Sequence, residues 1–339
     1  MTNRQTANEK LLEALVHNPA QCSNEHIEWA QALQDSPGVT WDIPRVDEHL
    51  IPAHPGDMVV FVARPAQGKT SMLAYHALHE ARRIQYRREI GMSGAEDEIV
   101  LYVSWEQLTQ EVDAYFHINE HYCVTDIVRG NVDMETVKMN TISYTNRVQL
   151  PIWLMGESLN RTTPNSVKMT TDVVEQAVRA IYEDYHKKVT LICADYLQLV
   201  PVARASDLVF EVTHAADLLK HLGKRCGCPT FIGVQARQEV DDYEIKLPRQ
   251  RDGQWASRIF QTCDKWFSIW RPWSTDADNQ NTIKWLREKQ GVEMSESLFL
   301  VQKLKERNNK SAAAWCLHFE PQFLKLCELE RELTEPVYI

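Results

Sequence analysis

Residues Val59-Val60-Phe61-Val62-Ala63-Arg64-Pro65-Ala66-Gln67-Gly68-Lys69-Thr70 join an apolar run to a short loop ending in Gly-Lys-Thr, and a helical pattern follows. These residue types at this spacing can bind phosphate. Backbone N–H groups of the loop and of the next helix's N-terminus can face an anion, Lys69 can reach the β- and γ-phosphates, and Thr70 can offer its hydroxyl to Mg²⁺. The expected ligand is therefore a nucleoside triphosphate with Mg²⁺. The usual pattern G-x-x-x-x-G-K-[ST] begins with Gly, whereas this loop begins with Ala63. Gly-Lys-Thr alone occurs by chance, so the strand before it and the helix after it carry the assignment.

Three further apolar runs end in polar groups. Val189 to Ala194 reads as a buried strand and is followed by Asp195, the kind of carboxylate that supports Mg²⁺ through its water shell in phosphoryl transfer. The plainer role for Asp195 is to cap the next turn. The run Ile99 to Ser104 leads into Trp105-Glu106, which sets a carboxylate at a strand tip where it could polarise an attacking water, although a lone strand-tip Glu is more often surface decoration. Gly233-Val234-Gln235 offers an uncharged amide that could sense a γ-phosphate or orient water.

Elements that could hold these groups together follow from the apolar periodicity. Strand-like runs at Met58–Ala63, Ile99–Ser104, Ile152–Met155, Val189–Ala194, Thr230–Val234, Trp266–Trp270 and Leu298–Val301 alternate with helical patterns such as Asp172–Tyr185. Strand, helix, strand in repetition predicts parallel crossover units: an α/β fold with a mostly parallel central sheet flanked by helices, binding its ligand at the carboxyl ends of the strands. Polar, turn-rich stretches at Gly156–Met169 and Ser274–Asn281 read as loops. Helical spacing at Glu9–His17 and Asn24–Leu33 precedes the break Ser36-Pro37-Gly38. This gives a short helical N-terminal segment over residues 1–36, too small for a core of its own, and one domain over 37–339.

The chain has 339 residues, 44% hydrophobic and 25% charged, which suits a globular protein with a sizeable core. No apolar stretch approaches the roughly 18 residues of a membrane span and no signal peptide opens the chain, so a cytoplasmic protein with no membrane partner is expected. The eight cysteines lack metal-site spacing and read as free thiols. A net charge of −10 excludes a uniformly basic coat, so any nucleic-acid contact must be local; basic stretches include Arg249 with Arg251, and Lys303 through Lys310.

Together these pieces resemble one family. Ala63-Arg64-Pro65-Ala66-Gln67-Gly68-Lys69-Thr70 is similar to the phosphate loop of DnaB-type replicative helicases, in which Ala at the first position is usual. Asp195-Tyr196-Leu197-Gln198-Leu199 resembles that family's Asp-Tyr-Leu-Gln-Leu motif, the most specific likeness in the chain. Pro248 to Asp264 aligns with the segment before the family's late strand, Arg271 follows at the matching distance, and Lys305-Glu306-Arg307-Asn308 resembles its Lys-x-Arg-Asn motif. The likeness covers about residues 38 to 329. It implies a RecA-like P-loop ATPase that works as a homo-oligomeric ring, commonly a hexamer, driven by ATP along single-stranded DNA during replication. By the same likeness the loop residues Ala63 to Thr70 and Arg271 bind ATP, with Lys69 also catalytic. Thr70 and Asp195 hold Mg²⁺, Glu106 activates water, Gln235 couples the γ-phosphate to DNA-facing loops, and Lys305 and Arg307 reach the neighbouring subunit's nucleotide.

The sequence departs from the family in places. The first 36 residues replace the globular helical N-terminal domain of cellular members, so contact with a primase or loader, the family's candidate partners, is not implied through such a domain. Only the role of Asn24–Leu33 as a linker helix on an adjacent subunit carries over. Glu239, Asp241, Asp242 and Glu244 make the segment after Gln235 less basic than expected for contact with DNA, and a helix-like stretch at Thr282–Gln290 is additional. The acidic balance supports a second reading, an assembly or adaptor ATPase that recruits a protein partner without unwinding DNA. A RecA-like strand-exchange filament is a third.

Overall fold

The computed structural model describes residues 16–35, 38–117, 124–139, 147–159, 168–202, 208–253, 256–309 and 313–329. Two compact units divide at Gly38 and Val39. In the first, helix α1 (Pro19–Asp35) contains the predicted Asn24–Leu33 stretch. Its start follows from a reciprocal cap: Asn18 Oδ1 accepts from the N–H groups of Ala20 and Gln21, Gln21 Oε1 accepts from the Asn18 N–H, and Pro19 needs no donor. The predicted Glu9–His17 helix lies outside the described residues except for Val16 and His17, which are not helical.

The second unit is built on one mixed sheet. Its strands are β1 (Met58–Ala63), β2 (Glu98–Ser104), β3 (Ile152–Met155), β4 (Lys188–Asp195), β5 (Thr230–Gln235), β6 (Lys265–Trp270), β7 (Leu298–Glu306), β8 (Ala313–Glu320) and β9 (Lys325–Glu328). Among the described residues the order is β3-β2-β4-β5-β1-β6-β7-β8-β9. Strands β3 through β6 in that order are parallel, and β7, β8 and β9 continue the sheet antiparallel. The helices that matter for the site are α2 (Lys69–Glu89), α3 (Thr109–Phe116), α4 (Thr171–Tyr185), α5 (Leu208–Cys226), α6 (Ala256–Thr262) and α7 (Gln280–Trp285).

Every residue of β1 is buried, because both faces of the sheet are covered. Val59, Phe61 and Ala63 pack on one side with Met72, Leu73, Ala77 and Ile84 of α2 and with Trp41 and Ile43 of the entry segment. Met58, Val60 and Val62 pack on the other with Val174 and Ile181 of α4 and Val212, Ala215 and Leu219 of α5. A period of two in β1 and of 3.6 in the helices thus gives two cores from one strand. No helix among the described residues is long and apolar enough to cross a membrane, and the described cysteines are unpaired.

Two expectations need correction. Ser274–Asn281 is not all loop, since Trp273–Asp276 is a helical turn and α7 begins at Gln280. Strand β8 and the edge strand β9 are additional to the predicted set. Ala313, Ala314, Cys316 and His318 in β8 carry little strand preference, and pairing with β7 supplies what local propensity does not.

β7 also runs five residues beyond Val301, through Gln302-Lys303-Leu304-Lys305-Glu306, a stretch whose charges disguise a buried strand. Those charges are matched inside the protein. The Glu306 carboxylate accepts from Lys265 Nζ at 3.1 Å, Lys303 Nζ at 2.9 Å, the Ile51 N–H at 2.8 Å and Asn309 Nδ2 at 2.7 Å. Removing one partner of such a buried network leaves charges uncompensated. Glu306→Ala is expected to lower unfolding stability by about 3–5 kcal/mol, read from the urea midpoint; a loss under about 1 kcal/mol would mean that both lysine amines reach water instead.

Candidate active site

At the carboxyl end of β1 the chain turns sharply and enters α2 at Lys69. Gly68, the residue before the helix, has φ 94°, which strains any side chain, so Gly is required there. Ala63 is different. It is the last residue of β1, fully buried and not in the left-handed region, so nothing at this position needs Gly and Ala serves. Lys69 Nζ lies back over the loop, donating to the carbonyls of Arg64 at 3.2 Å and Ala63 at 3.4 Å. Burial lowers the Lys69 pKa, and the carboxylates of Asp195 and Glu106 oppose that shift.

The tips of β2, β4 and β5 bring their polar groups to the same edge. A cleft of about 310 Å³ is lined by Pro65, Ala66, Gly68, Lys69, Thr70, Glu106, Gln235 and Arg271, together with Tyr115, Tyr196 and Pro321. Glu106 is exposed on a turn closed by Ser104, whose Oγ donates to the Gln107 carbonyl and accepts from the Gln107 N–H. The Trp105 N–H donates to the Asp195 carbonyl at 2.8 Å, which fixes the β2 tip against β4. At the β5 tip, the Gln198 side chain accepts from the Gln235 N–H and donates to the Gln235 carbonyl, both at 3.2 Å.

Asp195 forms the floor. It has no solvent exposure, and burial pushes its pKa up to about 6 against the lowering effects of Thr70, Tyr102 and Lys69. Tyr102 Oη donates to Oδ2 at 3.1 Å, the Thr70 hydroxyl lies against the carboxylate, and Oδ1 has no hydrogen-bond partner. An orphaned carboxylate oxygen beside a hydroxyl is a donor set that fits a hard divalent cation retaining some of its waters.

Other predicted residues lie elsewhere. Among the loop residues expected to bind nucleotide, Ala63, Arg64 and Gln67 do not line the cleft. The Arg64 guanidinium is held by Asp241, and Gln67 is buried, accepting from the Arg271 N–H at 2.7 Å and donating to Ser274 Oγ at 2.6 Å. Gln67 therefore ties the loop to the end of β6. Arg271 stands over Gly68, and burial lowers its pKa.

Lys305 and Arg307 lie at the opposite edge of the sheet. β7 is antiparallel to β6, so Lys305 and Glu306 pair with Trp266 and Lys265, and Lys265 pairs with Val59 near the start of β1. Ala63 is four residues farther along β1, about 13 Å at roughly 3.3 Å per residue. The Lys305 ammonium donates to the carbonyls of Phe260, Gln261 and Cys263, closing the end of α6 and using all three of its protons. As folded in the single chain, this amine is a helix cap. Arg307 contacts Asp264 at 3.2 Å and keeps its side chain 57% exposed.

Arg249 and Arg251 ride on a loop that leaves the β5 tip and returns to it. Arg249 stacks over the Tyr243 ring at 4.7 Å, and the Arg251 side chain is 72% exposed.

The chain matches the DnaB-like helicase C-terminal domain family over residues 38–327. It belongs to that family. Curated relatives include the replicative DNA helicase DnaB of Rickettsia bellii, 23% identical over 239 residues covering 69% of this chain and 45% of the relative, and that of Mycoplasma genitalium, 24% identical over 260 residues covering 75% and 48%. The chain thus spans about half the length of the curated relatives it matches. Among solved structures, one described as an ATPase domain aligns over 93% of this chain and all of its own length, with TM-score 0.70 and 15% identity. A DnaB-like replicative helicase described with its interactions with primase aligns over 94% of this chain and 67% of its own, with TM-score 0.68 and 18% identity. These likenesses establish the RecA-like DnaB ATPase fold.

Within this DnaB-family domain, sequence reading missed Gln198, Tyr102, Tyr115 and Pro321. Gln198 had a signal, since it lies within the Asp-Tyr-Leu-Gln-Leu motif; Tyr102 had none beyond its place in an apolar strand.

The raised Asp195 pKa fixes a sign. In the unfolded chain the group titrates near the ordinary carboxylate value of 3.8 and in the fold at about 6. The cost of burying its charge is therefore absent below about pH 4, grows between the two values and is complete above pH 6. Asp195→Asn, which keeps an acceptor for Tyr102, is expected to stabilise the nucleotide-free protein by about 1–3 kcal/mol at pH 7.5 and by nothing at pH 4. Thermal melts at the two pH values check this, and an equal gain at both would show that charge burial is not the cause.

Proposed function

We propose that this chain is the motor domain of an ATP-dependent, ring-forming DNA helicase that translocates on single-stranded DNA during replication. The observation that carries this is the cleft where Lys69, Thr70, Glu106 and Gln235 meet over the buried Asp195. Lys69 would draw the β- and γ-phosphates to the start of α2, and Glu106 would accept the proton of the attacking water. Mg²⁺, when bound, spreads the phosphate charge, and Thr70 and Asp195 are the residues that would hold it. Gln235 lines the cleft, where it would meet the γ-phosphate, and leads directly into the loop bearing Arg249 and Arg251, a suitable contact for a DNA backbone.

Among the described residues, no cation of β7 lines the cleft. Arg307 lies at the far edge of the sheet, exposed, and would complete the site of a neighbouring copy. This supports a closed ring, hexameric by analogy with the family, with each ATP held between two subunits. Residues 1–36 would act as the linker segment ahead of the ATPase domain. Of the acidic residues after Gln235 that favour an adaptor ATPase, Asp241 is engaged by Arg64 within the chain.

Lys69→Ala should reduce ATP hydrolysis to background. Arg307→Ala should lower kcat by about 10³-fold with nucleotide affinity nearly unchanged. Mixing the two inactive variants should recover part of the activity, because some interfaces then pair an intact Lys69 with an intact Arg307; no recovery would count against a shared site. Steady-state hydrolysis with and without single-stranded DNA, followed by unwinding of a forked duplex, tests the motor reading: a DNA-indifferent rate would overturn it.

A further inference from the structure

Arg64 is the phosphate-loop residue whose two ends serve different sites. Its carbonyl accepts from Lys69 Nζ at 3.2 Å, on the side of the cleft. Its guanidinium turns the other way, donating from Nε to Asp241 Oδ1 at 2.9 Å and from Nη2 to Oδ2 at 2.7 Å, while Nη1 donates to the Ala236 carbonyl at 3.0 Å. A bidentate guanidinium–carboxylate pair fixes orientation as well as distance.

Asp241 belongs to the first turn, Gln238–Asp242, of the excursion that follows β5. The excursion is pinned at its base: Ala236 bridges Gly253, and the Arg237 N–H donates to the Asp252 carbonyl at 2.7 Å. The Ala236 N–H donates to the Ala63 carbonyl at 2.9 Å, the same oxygen that Lys69 Nζ approaches at 3.4 Å. The amine placed to bind phosphate and the loop carrying Arg249 and Arg251 therefore hold the same two residues, Ala63 and Arg64. A movement of Lys69 towards a phosphate would release both carbonyls, one of them that of the residue that grips the loop.

We propose that the Arg64–Asp241 pair couples the phosphate loop to residues 237–252, with Asp241 a positioning residue that acts through Arg64. The proposal rests on the ATPase reading above and adds the connection by which nucleotide alters the excursion. Coupling of this kind is reciprocal, so a ligand on the excursion shifts nucleotide affinity by the same factor. It differs from a static brace, which would stiffen the excursion equally with and without nucleotide.

The test is amide hydrogen exchange in peptides covering 237–252, with and without Mg²⁺ and a fluorescent ribose-labelled ADP, whose signal reports binding in the same samples. In the wild type, nucleotide is expected to change exchange in this segment by about fivefold or more. Asp241→Asn should bind the labelled ADP with unaltered affinity and lose the change, and Asp241→Glu should restore it. If Asp241→Asn raises exchange alike in both states and preserves their ratio, the pair is only a brace and the proposal is overturned. Binding by the wild type with no response in 237–252 overturns it equally, while the ATPase reading stands. Failure of the wild type to bind nucleotide removes the ATPase reading and the coupling together.

Discussion

The polarity of one buried strand organises this protein. β1 is covered on both faces and hydrogen-bonded on both edges, so its direction cannot be altered without dismantling two cores. Its carboxyl end must then hold the phosphate loop. Its amino end lies beside Asp264 and the end of β7, where the Met58 N–H donates to Asp264 Oδ2 at 2.7 Å and Arg307 contacts Oδ1. Parallel strands gather their tips, and hence Glu106, Asp195 and Gln235, at one edge; an antiparallel strand such as β7 delivers its last residues to the other. A chain arranged in this way separates Lys69 from the exposed Arg307 by most of the length of β1.

Within that frame many charges are committed to structure. Lys265 and Lys303 share Glu306, Lys220 and Arg307 share Asp264, and Lys305 closes α6. The pairings of Lys220, Lys265 and Lys303 draw these cations away from the surface, whereas Arg307 stays largely exposed. Simple counts of basic residues therefore overstate what is available to a polyanion, and counts of acidic residues overstate repulsion: Asp241 is the partner of Arg64, and Asp252 accepts from Tyr243 Oη and the Arg249 N–H. Arg307 and Arg251 keep their side chains largely in solvent, as do Arg179, Lys284 and Arg287.

The site itself combines a rigid floor with adjustable walls. Asp195, Tyr102 and the Gln198–Gln235 amide pair are fixed by burial and hydrogen bonds, whereas Glu106 is exposed on a short turn and Lys69 rests on loop carbonyls that a phosphate oxygen can replace. A low-dielectric floor beneath an exposed carboxylate separates the two acids by environment: burial raises Asp195, and the Glu106 charge adds to that rise.

The sequence by itself determined what short-range chemistry can specify. Glycine at 68, the lysine and threonine after it, and apolar runs ending in Glu106, Asp195 and Gln235 are local patterns, and the alternation of strand and helix implies where parallel tips must meet. Only the tertiary structure decided how long-range partners are chosen. It turned Arg64 onto Asp241 and Gln67 onto Arg271, committed Lys305 to a helix end, and extended β7 through a charged stretch because Lys265, Lys303 and Glu306 neutralise one another inside the sheet. The reason is physical: a side chain's type limits what it can bond, but which bond it makes depends on groups brought near it by residues as many as 283 positions away, as in the Arg45 N–H donated to Glu328.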